Sequence, residues 1–163
     1  MSIPPAASGT VVVRSDEAER LPSIGHVLLA DAGATGGALS THRVELGRGA
    51  AGAVPHRHAL SHELFFVFDG ALDVLADNEV VTARAGDLLV VPPGVPHAFG
   101  AHRDSAAQAL IVITPGVERF DYFRQVVRVR DGSAPRDALL AAQDRFDTYF
   151  LDSAVWDAAR SAE

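Results

Sequence analysis

The chain has 163 residues, 48% of them hydrophobic and 21% charged, with a formal net charge of −7. That length fits one domain able to bury a core, and the acidic balance, with basic residues gathered only at Arg124, Arg128 and Arg130, disfavours nucleic acid as a partner. Cysteine is absent and all 14 basic residues are arginine, which excludes disulfides, thiolate ligands, cysteine nucleophiles and lysine Schiff bases. No apolar run approaches the ~18 residues of a membrane span. Met1-Ser2-Ile3-Pro4-Pro5 has neither the basic nor the apolar region of a secretory leader, so a cytoplasmic protein that avoids membranes is expected.

Short strand-like runs separated by turn signals fill residues 10 to 130. Thr10 to Val13 reads as a first strand, His26 to Ala30 and Leu39 to Leu46 as the next two, with a glycine-rich connection at Gly33, Gly36 and Gly37. Strands at Val54–His58 and Glu63–Phe68 follow. Asp69-Gly70 has hairpin-turn chemistry and leads into Ala71–Leu75. Asp77-Asn78 makes another turn before Glu79–Ala83, Leu88–Val91 is a continuous apolar strand, and Gln108–Thr114 is rich in β-branched residues. Beyond Pro115-Gly116, residues 117–123 read as a short helical turn and Val126–Val129 as an edge strand. From Pro135 the spacing of Leu139, Ala142, Phe146 and Phe150 predicts an amphipathic helix, and Ser153 is placed to cap a last short helix bearing Trp156. The expected organisation is a single all-β domain over 1–163, with a barrel core at about 24–130 and a helical tail at about 135–160.

His56, His58, Glu63 and His97 carry the chemistry. His56 and His58 are two apart, which on a strand puts both rings on one face. Glu63 shares a face with Phe65 and Val67, so its carboxylate enters an apolar interior and needs a cation there. His97 follows the turn Pro92-Pro93-Gly94-Val95-Pro96 and comes from a third segment. Three imidazoles and one carboxylate suit a divalent first-row metal, and a small β-barrel would hold them together. His62 and Arg57 point to the opposite faces of their strands. His26, His42 and His102 read as solvent-side or packing histidines, Asp87 as a turn residue, and Phe146, Tyr149, Phe150 and Trp156 as aromatics that pack on the barrel or close a pocket mouth or dimer contact.

The spacing resembles the two motifs of a cupin. His56, His58, Glu63 and Gly70 fit the first, with Ala50 in place of its leading glycine and Gly49 and Gly52 beside it. Gly86, Pro92, Gly94 and His97 fit the second, with Ala101 in place of its closing asparagine. The segment Asp31–Ala38, Thr114-Pro115-Gly116 and the aromatics Phe120, Tyr122 and Phe123 make the chain similar to the quercetin-dioxygenase-like group of small cupins.

The resemblance implies a jelly-roll β-barrel, a metal centre on His56, His58, Glu63 and His97, and a dioxygenase acting on an enolic or phenolic, flavonol-like small molecule. Glu63 would be both ligand and proton acceptor, and Phe65, Val67 and Phe99 would wall the substrate pocket. Iron, manganese, nickel, cobalt and copper all suit the ligand set, and zinc can occupy it. A non-redox isomerase, cyclase or decarboxylase with the same ion, or a cupin that binds a ligand without catalysis, remains open. A homodimer is expected, through the N-terminal arm or the Val126–Val129 segment.

Overall fold

The computed structural model describes residues 9–161; the leader reading of Met1–Pro5 lies outside them. Among the described residues ten strands occur: β1 (Glu19–Leu21), β2 (His26–Ala30), β3 (Ser40–Leu46), β4 (His56–Arg57), β5 (His62–Ala76), β6 (Glu79–Arg84), β7 (Leu88–Val91), β8 (His97–Ala101), β9 (Ala107–Thr114) and β10 (Tyr149–Phe150). Four helices follow β9, with β10 among them: α1 (Phe120–Arg130), α2 (Asp137–Ala141), α3 (Gln143–Phe146) and α4 (Ala154–Ser161). The ladders run β1-β2-β3-β9-β5-β8-β4-β10, with β6 and β7 also paired to β5. All pairings are antiparallel. No helix among the described residues is long and apolar enough to cross a membrane.

The fifteen-residue β5 organises the sheet. Its first half alternates Glu63, Phe65 and Val67 inward with His62, Phe66 and Phe68 outward, as a strand with one buried face must. Asp69-Gly70 does not turn the chain back. A register shift between Val67 and Asp69 opposite β9 absorbs the extra residue as a bulge, and the strand runs on to Ala76. Gly70 is required there, because its φ is +71° and a Cβ would lie 1.9 Å from the Ala106 carbonyl oxygen. Beyond the bulge both faces are buried. Leu72 and Val74 join Phe65, Val67, Phe99 and Ile111 in the main core, while Leu75 packs with Ala98 under Trp156 of α4.

Three expected elements are corrected. Thr10–Val13 forms no strand, and its three valines are exposed. Val126–Val129 is not an edge strand but the second half of α1. There Phe120, Phe123 and Val127, at helical spacing, pack on Ile24 and Leu28, and this burial overrides the strand preference of the valines. The helix expected from Pro135 breaks into α2 and α3 and ends at Asp147, whose φ is +46°, so Phe150 sits in β10 against His56 of β4. The cap at Ser153 is present, its hydroxyl accepting from the Trp156 N–H at 3.2 Å.

Candidate metal centre and adjoining cavity

β4, β5 and β8 bring the four residues together. His56 and His97 are paired across β4 and β8, and the Gly94 N–H donates to the His58 carbonyl at 2.7 Å, fixing the proline-rich turn before β8. Gly94 has φ +81°, the left-handed conformation that turn needs. All four side chains are buried, and one ligand atom from each can be chosen so that all lie within 4.8 Å of one another.

Each ring is held by its far nitrogen. Nδ1 of His56 faces the Val54 carbonyl at 2.7 Å, Nδ1 of His58 the Asp147 carbonyl at 2.6 Å, and Nδ1 of His97 the Val95 carbonyl at 2.9 Å. A carbonyl only accepts, so each Nδ1 carries a hydrogen and each Nε2 points inward, as a lone pair when the ring is neutral and as an N–H able to donate to Glu63 when it is protonated. Those Nε2 atoms stand 3.9 Å (His56), 2.8 Å (His58) and 2.6 Å (His97) from the same Oε2 of Glu63. Lone pairs facing a carboxylate in a dry interior repel unless a positive charge lies among them. The donor set therefore fits a divalent cation, three imidazole nitrogens and one carboxylate oxygen being a common ligand complement for one.

The electrostatics agree. Burial opposes ionisation of Glu63, yet the charge of His97 and hydrogen bonds from His58 and His97 hold its carboxyl well below the usual range. Burial keeps His56 neutral to well below its ordinary value, reinforced by His97 and His58. For His97 burial works downward, but the Glu63 carboxylate outweighs it and raises the imidazole.

A chamber of about 30 Å³ lies over the cluster, lined by His56, Glu63, Phe99, Arg119, Tyr122 and the His26–His42 pair among others. Ala53, His56 and Tyr122 also line a larger cavity of about 380 Å³, walled by Val126, Leu139 and Phe150 of the helical tail with Arg136 among its residues. Phe99 is thus on the chamber wall. Phe65 and Val67 stand behind it in the core, Phe65 edge-on to Phe99 at 5.5 Å between ring centroids. His62 is exposed, and Arg57 lies over the Tyr149 ring, both off the cluster. His26 and His42 are packing residues, stacked 5.2 Å apart with Phe123 at 4.5 Å from each.

Residues 42–113, somewhat under half of the chain, match the model of the cupin domain. Over that stretch the chain resembles cupins. Among curated proteins nothing matches it. The chain resembles KdgF from Halomonas sp. at 23% identity, over 63% of this chain and 92% of that one, with a TM-score of 0.52. It resembles Pac13 from Streptomyces, a nucleoside dehydratase solved with uridine, at 18% identity over 68% and 86% with a TM-score of 0.56. A cupin protein from Bacteroides fragilis is 23% identical over 47% of this chain and 65% of that one, just under two thirds of its length, with a TM-score of 0.45. The first two likenesses speak to the fold alone.

Sequence reasoning missed the residues that surround the cluster. Asp147 holds His58 and also accepts the Ala59 and Leu60 N–H groups at 2.7 and 3.0 Å. Arg119 and Tyr122 come from α1 and the residue before it, a segment in which only the aromatics stood out. Gly49, with φ +66°, supplies the turn expected of the glycine that Ala50 replaces. Gly52 lets the Phe99 ring lie against the backbone, since a Cβ there would be 2.4 Å from it.

Proposed function

We propose that this cupin is a metal-dependent enzyme in which His56, His58, Glu63 and His97 hold one divalent transition ion and act on a small enolic or phenolic substrate, with dioxygen as co-substrate. The observation that supports it most is the convergence of three Nε2 atoms on one Glu63 oxygen, with His56 and Glu63 lining a chamber. A bound iron, manganese, nickel, cobalt or copper ion, with zinc able to take the same place, supplies a Lewis acid with positions left over for substrate oxygen. Glu63, held as a carboxylate, takes the substrate's hydroxyl proton, work that typically contributes ~10² to 10⁴ in rate. The apolar wall of Phe99, backed by Phe65 and Val67, keeps water from the ionised substrate, and the 380 Å³ cavity has the size of a small-molecule site. In this reading the strands wrap into a jelly-roll barrel and the chain pairs as a homodimer. Val126–Val129 lies in α1, which leaves the exposed strip Phe66, Phe68, Leu88 and Val90 for a second copy.

A second reading keeps the ion and drops oxygen. It is favoured by Tyr122, whose hydroxyl burial holds in its protonated form above the ordinary value, Arg119 working against this, so that an acid faces the same chamber as Glu63. The structural likeness to a nucleoside dehydratase belongs with this reading. One experiment separates the two: metal content of protein purified without chelators, then turnover of flavonols and β-diketones with and without air. Oxygen uptake that disappears on metal removal upholds the first reading. Anaerobic turnover upholds the second, and saturable binding without product under either gas overturns both.

A further inference from the structure

Arg119 is 4% exposed and lies in the same chamber as Glu63. Its Nη1 donates to the Phe146 carbonyl at 3.0 Å and to the Thr148 hydroxyl at 2.6 Å, both uncharged acceptors. Its Nε is buried and has no hydrogen-bond partner among the described residues. The Tyr122 phenol and three carboxylates act on it through space; the phenol is uncharged at neutral pH, and each carboxylate is committed elsewhere. Glu63 is taken by the imidazoles, Asp31 by the N–H groups of Arg119 and Phe120, and Asp147 by those of Ala59 and Leu60. A buried guanidinium without an ion-pair partner is costly. Loading the cluster sharpens the imbalance, because a divalent ion with Glu63 is net positive and Arg119 adds a further charge. His42, which lines the same chamber, also has an Nδ1 without a hydrogen-bond partner among the described residues. The larger cavity beyond Tyr122 is mostly apolar.

We infer that the substrate is a small carboxylic acid, its carboxylate received by the Nε–H of Arg119 in the chamber and its apolar body lying in the cavity between β4 and the helical tail. A guanidinium matches a carboxylate in both charge and hydrogen-bond geometry. The Tyr122 ring, 4.1 Å from the guanidinium carbon and on the wall of both spaces, marks the passage between head and body. This rests on the reading that the cluster serves a small substrate, but it concerns a separate contact.

The test uses the full chain, metal-free and zinc-loaded, with acetate, benzoate and phenylpyruvate as probes and benzamide as the neutral counterpart of benzoate. Side-chain ¹⁵N spectra of the wild type should show the Arg119 Nε–H resonance moving with benzoate and not with benzamide. Calorimetry should give benzoate at least tenfold tighter binding than benzamide. Arg119→Lys, which keeps the charge and removes the Nε–H, should cut that preference severalfold, and Arg119→Gln should abolish it. The wild-type spectra stand even if either variant fails to fold. Equal binding of benzoate and benzamide, or an Nε–H resonance that none of the three acids moves, overturns the inference. Failure of metal uptake or turnover, with the resonance still shifting, would overturn only the proposed function.

Discussion

The Nδ1 of His58 donates to the main-chain carbonyl of Asp147 at 2.6 Å, across 89 residues of sequence. The same aspartate accepts two N–H groups from the loop that follows His58. Its main chain aims the ring and its side chain holds the segment that carries the ring. The tail that completes the site is thus also part of its alignment.

Asp147→Ala should weaken the metal site without removing a ligand. Loss of partners that orient a ligating histidine typically costs ~10- to 100-fold in affinity. Loss of the two hydrogen bonds from the exposed Ala59 and Leu60 costs about 0.5–1.5 kcal/mol each in addition. Asn tolerates the +46° φ and keeps one acceptor, so Asp147→Asn should lose less on both counts. Zinc or cobalt titration calorimetry and thermal melts of the two variants check this, and an alanine variant with unchanged metal affinity contradicts it.

Metal should stabilise the fold through Glu63. Free ion at a hundred times its dissociation constant contributes about 2.7 kcal/mol of unfolding free energy. Glu63→Gln keeps the shape and removes the charge that three imidazoles face. Denaturant unfolding with and without chelator should show the metal-dependent increment in the wild type and little of it in the variant.

Acid should destabilise the protein through the His26–His42 pair. Burial holds His26 down to about 4, the Ile24 carbonyl bond opposing it, and burial with the neighbouring His26 holds His42 well below its ordinary value. The unfolded chain takes up these protons near the usual value of about 6.5, so below that pH it binds more protons than the folded chain. Stability is therefore complete above about 6.5 and falls as pH drops toward about 4, by up to about 3 kcal/mol for His26. Melts of metal-free protein from pH 7 to 5 should show the decline, and His26→Gln should remove close to one proton from its slope.

Gly52→Ala should be costly where Gly47→Ala is not. A Cβ at Gly52 meets the Phe99 ring at 2.4 Å, whereas nothing lies within 4 Å of one at Gly47. Overpacking of this kind typically costs about 1–3 kcal/mol. Because Phe99 lines the chamber, the Gly52 variant should also shift probe binding. Chemical denaturation of the pair decides the point.

The four ligand candidates were readable from sequence because each sits where local chain geometry dictates its direction, on a strand of fixed alternation or just after a proline-glycine turn. The strands His26–Ala30 and Leu88–Val91 were readable in full, since each is a short apolar run between turn signals. Asp69-Gly70 misled because a bulge and a hairpin need the same residue with positive φ, and only the pairing of Gly70 with Ala107 distinguishes them. Val126–Val129 misled because β-branched residues favour strands until a helical face finds something to cover. Asp147, Arg119 and Tyr122 had no periodic signal. Their roles arise from contacts between distant segments, such as the hydrogen bond from Arg119 to Thr148.

A ribosome working at about 5–20 residues per second takes roughly 4–18 s to travel from His58 to Asp147, the 89 positions that separate them. For that interval His56 and His58 are already made, Glu63 and then His97 join them, and the carbonyl that aims His58 has not yet been made. An ion bound in that interval would meet a ring not yet aimed, a looser cage than the finished molecule offers.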